Sequence, residues 1–162
     1  MTFKRRALAQ RIRSEIPELD RAVAGVLRHW RRASADGEDQ DAFLNSVVLN
    51  LHGFYNGIER VLELIVVDLD GAALGGDTWH AELLRQVETE IPSLRPAVIS
   101  AQTRRRLDEY RRFRHRVRNI YVANLNASQL ESLVSQLATT WETLKTEFAA
   151  FAEFLDSVSG SE

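Results

Sequence analysis

The sequence predicts an all-α fold in which four long helices and one short helix pack as an elongated bundle. Three observations carry this reading. Apolar residues recur at spacings of three and four almost throughout, no stretch alternates as a half-buried strand does, and three glycine- or proline-containing breaks together with the capping pattern "NASQ" divide the chain into five helical segments. At 162 residues, with 44% apolar and 27% charged composition, the chain is sized for a single domain over 1–162 with a real core.

The first helix carries Leu8, Ile12, Ile16, Leu19, Val23, Val26 and Trp30 on one face. That seam crosses Pro17, where a missing backbone donor is expected to bend the helix. "SADGEDQD" breaks the chain, and a second helix from about Asp41 to Asp68 presents Leu44, Val47, Leu51, Phe54, Ile58, Val61 and Ile65. "DLDGAALGGD" ends it in a glycine loop. The loop lacks the Gly-Lys-Ser/Thr ending and the preceding strand of a nucleotide-binding P-loop. A short third helix, roughly Thr78 to Thr89, is stopped by the two prolines of "IPSLRP". Ser100 is a suitable N-cap for the fourth helix, and Asn126 with Gln129 forms a capping-box pattern for the fifth. The fifth helix runs a regular seam from Leu130 through Trp141 to Val158. Trp30, Trp79 and Trp141 all lie on apolar seams and read as core anchors.

No apolar run is long enough to span a bilayer, and the arginine-rich start contains acids and passes directly into a core pattern, so a cytoplasmic protein without membrane attachment is expected. With no cysteine there is neither a disulfide nor cysteine-ligated zinc. The four histidines show no ligand spacing, so no metal and no cofactor are expected.

The net charge of -2 is unevenly spread. Between Gln102 and Tyr121, eight arginines against Asp108 and Glu109 give +6, which leaves -8 for the rest of the chain. At about 100° per residue, Leu107, Tyr110, Phe113, Val117, Ile120 and Tyr121 share one arc of this fourth helix. Arg104, Arg111, Arg118, His115 and Asn119 form a stripe beside it, with Arg114 on the border; Arg105, Arg112 and Arg116 lie farther round, as solvated charges would. A stripe of this kind either pairs with acids on neighbouring helices or remains uncompensated along a groove, where planar guanidinium groups suit a phosphate-bearing partner. On the second helix, His52, Asn56 and Glu59 fall away from the apolar arc with Tyr55 at its edge, a candidate opposite wall in which Glu59 would orient Arg114. His80, beside Trp79, reads as a capping or packing residue.

At "FRHRVRNIY" the chain resembles the HEPN superfamily: Arg114, Asn119 and Tyr121 occupy the spacing of its R-x4-H-x-Y signature, and HepT-like ribonuclease toxins are the nearest likeness. "LHGFYNGIERVLELI", "TWHAELLRQV" and "RRFRHRVRNIYVANLNASQL" extend that likeness, in order, over most of the chain after residue 40. The resemblance implies an up-and-down bundle that forms a homodimer with its motif helices meeting in one cleft. It also implies a metal-independent endoribonuclease acting on RNA and silenced by a nucleotidyltransferase antitoxin that adenylylates the motif tyrosine. Arg114 would then grip the phosphate and Tyr121 would be both a site residue and the modified one.

The chain departs from the family pattern at Asn119, where the family has histidine. An amide does not exchange protons near neutral pH. Either Asn119 positions the phosphate by hydrogen bonds while His115 supplies the titratable imidazole, or turnover is weakened or lost, leaving a HEPN domain that binds RNA or a nucleotidyltransferase. On the first alternative the catalytic set is Arg114, Asn119, Tyr121 and His115, with Arg111, Arg118, Arg104, Tyr55 and Glu59 as substrate-binding residues. A histidine phosphotransfer module fits poorly, because Arg116, Val117 and Arg118 follow His115 where such modules favour lysine and glycine.

Overall fold

The computed structural model describes residues 2–35, 37–119 and 127–160, and the side chains of Arg118 and Asn119 lie outside that description. Five helices follow one another: α1 (Thr2–Ser34), α2 (Gln40–Asp68), α3 (Trp79–Glu88), α4 (Ala101–Asn119) and α5 (Ala127–Ser159). No strand occurs among the described residues, so the all-α bundle of four long helices and one short helix is the observed fold. The Asn126 cap of α5 lies outside the described residues.

α1 runs unbroken through Pro17 and packs along both α2 and α5, the two other longest helices. Its seam buries Leu8, Ile12, Leu19, Val23 and Val26, with Ile16 and Trp30 half-buried at the edge. Gly57 makes the α1–α2 contact close: a Cβ built there would sit 2.9 Å from Leu19 Cδ2. Trp141 on α5 is fully inside, edge-on to Phe54, and its indole N–H donates to Asp20 of α1 at 2.7 Å. That bond, with Lys145 alongside, holds the Asp20 carboxyl below the ordinary carboxylate range against a smaller opposing effect of burial.

α3 and α4 close the other side of α2, which is therefore covered on two faces. Two-sided covering explains why the core stripe of α2 is wider than the simple apolar arc and takes in Tyr55, at 1% exposure, and Glu59, at 6%. The expectation that both stand on an open wall is corrected by this packing.

Two devices set α3 and α4 in place. Ser100 caps α4: its hydroxyl accepts from the Thr103 N–H at 3.1 Å, while Glu147 of α5 accepts from the Ser100 N–H at 3.0 Å and the Thr103 hydroxyl at 3.1 Å. A carboxylate from another helix thus does what the N3 residue does in a capping box. At the other end, Arg95 is 3% exposed and forks onto Asp70 through Nε at 2.6 Å and Nη2 at 2.7 Å. Its remaining donors reach the carbonyls of Gln86, Thr89 and Pro96, and the Gln86 amide also donates to Asp70. This knot fastens the end of α2 to the end of α3, with Gly71 at φ 69 turning the chain between them.

Candidate functional site

Where α2, α3 and α4 meet, Asp77, Thr78, His80, Ala81, Arg111, Arg114 and His115 line an open pocket of about 150 Å³. Leu107, Tyr110 and Phe113 anchor α4 in the core, and the 3.6-residue period then places Arg111 and Arg114 at the pocket beside them. Tyr110 is tied further by its hydroxyl, which donates to the Leu133 carbonyl of α5 at 2.8 Å. Burial is the main reason that hydroxyl is held above the ordinary phenol range.

Beneath the pocket lies Glu59. One carboxylate oxygen accepts from Arg114 Nη1 at 2.6 Å and the other is 2.7 Å from His80 Nδ1. Arg114 Nη1 also lies 3.5 Å from that same ring nitrogen. One nitrogen cannot donate to a carboxylate and accept from a guanidinium together, and the shorter, charge-assisted contact decides: Nδ1 carries the proton and donates to Glu59. Trp79 stacks on the His80 ring with centroids 3.7 Å apart, which fixes the plane of the imidazole. Tyr55 lies under the guanidinium of Arg114, 6.0 Å from Cζ to ring centroid. Its hydroxyl is pushed far above the ordinary phenol range, first by burial and then by the Glu59 charge, with Arg111 and Arg114 opposing. Tyr55, expected as a substrate-binding residue, is buried at 1% exposure and packs beneath Arg114 as a platform.

The remaining arginines are paired more than the stripe suggests. Arg104 meets Glu88 and does not line the pocket. Arg111 and Arg112 share Asp108, through Nε at 2.7 Å and 2.9 Å. Among the described side chains the alternative of an uncompensated stripe is therefore corrected: Glu59 and Glu88 from neighbouring helices and Asp108 on α4 itself meet it, because burying guanidinium stems requires nearby counter-charge. The pairing does not exhaust the donors. A guanidinium carries five N–H groups in a fixed plane, so a carboxylate on one edge aims the others.

Arg111, Arg114 and His115 come together at the pocket, with Glu59 orienting Arg114. His52 and Asn56 contact each other at 3.1 Å and do not line it. The side chains of Arg118 and Asn119, and the whole of Tyr121, lie outside the described residues. His80 is the residue that reading the sequence missed. No local signal marked it: Glu59, its partner, falls outside the apolar arc of α2 in sequence and needs a basic partner only once α3 and α4 bury it. Among the described residues no group of three or more His, Asp or Glu side chains is arranged to hold a metal ion, and no helix is long and apolar enough to cross a membrane.

A family model described as "HepT-like protein" matches residues 46–155, from the first turns of α2 to near the end of α5. No curated protein and no solved structure matches the chain significantly. The family match covers well over half the chain and takes in every residue of the pocket; with the helical order described above, it establishes that the chain belongs to the HepT-like family of the HEPN superfamily.

Proposed function

We propose that this chain is a metal-independent endoribonuclease of a toxin–antitoxin pair, acting in the cytoplasm as a homodimer and silenced when a nucleotidyltransferase adenylylates Tyr121. The observation that carries this reading is Arg114, held by a buried carboxylate and set beside Arg111, His80 and His115 at one open pocket. Oriented guanidinium groups stabilise the charge that develops on a phosphodiester during transfer. An adenylyl group on Tyr121, two residues after the last residue of α4 in sequence, brings bulk and negative charge that would compete for these arginines.

Asn119 favours a second reading, a HEPN domain that holds RNA or the nucleotidyltransferase without cutting. Incubating purified protein with tRNA and mRNA separates the two. Cleavage by the wild type, abolished in Arg114→Ala with helicity retained by circular dichroism, is the expected outcome; RNA retained intact by the wild type favours the binder. Coexpression with the nucleotidyltransferase is expected to add one adenylyl mass to the peptide carrying Tyr121.

A further inference from the structure

His80 is built into the site in a way that a packing residue does not require. Its Nδ1 is committed to Glu59 Oε2 at 2.7 Å, and the opposite oxygen of that carboxylate is pinned by Arg114 at 2.6 Å. The ring is stacked on Trp79, yet its side chain keeps 26% exposure and lines the pocket with Arg111, Arg114 and His115. A carboxylate that accepts a hydrogen bond from the Nδ1–H of a histidine fixes its tautomer and leaves Nε2 as the nitrogen with a lone pair. The same logic orients the histidine of serine hydrolases.

Resting on the ribonuclease reading above, we propose that His80, oriented by Glu59, is the general base of this site and supplies the proton acceptor that the amide of Asn119 does not. The 2′-hydroxyl proton of the substrate passes to His80 Nε2 as the 2′-oxygen forms its bond to phosphorus. The bond from phosphorus to the 5′-oxygen breaks, and its electron pair stays on that oxygen, which takes a proton from the His115 imidazolium. The products are a 2′,3′-cyclic phosphate and a 5′-hydroxyl. His80 returns its proton through water to His115, closing the cycle. Arg114 and Arg111 hold the non-bridging oxygens throughout, and Glu59 stabilises the His80 imidazolium as it forms.

The test uses the full chain and a short single-stranded oligoribonucleotide, with its 2′-O-methyl counterpart as an uncleavable probe of binding. In His80→Gln the amide still donates to Glu59 but takes no proton. Its kcat is expected to fall by about 10²–10⁴-fold, with KM and 2′-O-methyl RNA binding unchanged. In His80→Gly, added imidazole is expected to restore part of the turnover. Wild-type turnover in His80→Gln, or a His80→Gly defect that imidazole leaves untouched, overturns the assignment of His80 while leaving the ribonuclease reading standing. A wild-type chain that cleaves no RNA overturns both.

Discussion

Glu59 is the residue on which the site turns. Buried at 6% exposure, it answers a guanidinium on one oxygen and an imidazole N–H on the other, so neither partner is free to rotate. Glu59→Gln keeps the shape and can still accept from Arg114, but an amide nitrogen facing His80 Nδ1 places donor against donor. The expected cost is about 1–3 kcal/mol of stability, read as a lower urea midpoint at unchanged slope. Cleavage is expected to fall further than RNA binding does, because orientation is lost and charge is not. Spacing along α2 placed Glu59 opposite Arg114 as a pairing to look for, yet put both Glu59 and Tyr55 on an open wall. Periodicity describes one helix at a time, whereas their burial comes from α3 and α4 closing over a second face. His80 was hidden for the same reason: its partner lies 21 residues earlier, across a loop whose path no local pattern fixes.

Helix α3 illustrates how a short element is held accurately enough to serve a site. Ten residues form few hydrogen bonds of their own, and an isolated helix of that length is marginal in water. Leu83, Leu84 and Val87 bury one face, and the Arg95–Asp70 fork clamps the far end to α2. Both charged side chains are almost fully enclosed, at 0% and 3% exposure, so removing one strands the other. Asp70→Ala is expected to cost about 3–5 kcal/mol in a urea titration, more than Glu59→Gln because it strands a guanidinium that is wholly enclosed, whereas Glu59→Gln keeps a polar group of the same shape. The helices themselves were legible to within a few residues, as was Ser100 as the cap of α4, since both rest on local chemistry. The fork was not: "IPSLRP" reads as a stop signal, and nothing near it in sequence announces that Arg95 will reach a carboxylate 25 residues back.

Across the whole molecule, charge separates into one arginine-rich helix carrying +6 over residues 102–121 and a remainder carrying -8. The imbalance and its helical stripe were readable from spacing; the extent of pairing was not, because Glu59 and Glu88 meet the stripe only once the helices are packed. Pairing narrows the surface that an anionic polymer would engage. Arg104 is turned to Glu88, Arg106 lines a separate pocket with Gln102 and Thr139, and Arg105, Arg112 and Arg116 are exposed away from the site, which leaves Arg111 and Arg114 among the described side chains; Arg118 is counted as the third from its sequence position alone. Salt dependence distinguishes a pocket from a whole basic face. Three phosphate contacts to single-stranded RNA give a slope of about -2 in log affinity against log salt, whereas all eight arginines acting together give about -5 to -6. A slope near -2 for an uncleavable 2′-O-methyl oligonucleotide, made shallower by Arg111→Ala and unchanged by Arg105→Ala, is the expected result. The steeper slope would mean that the ion pairs open on binding and that the acids of the bundle act as counter-ions which RNA displaces.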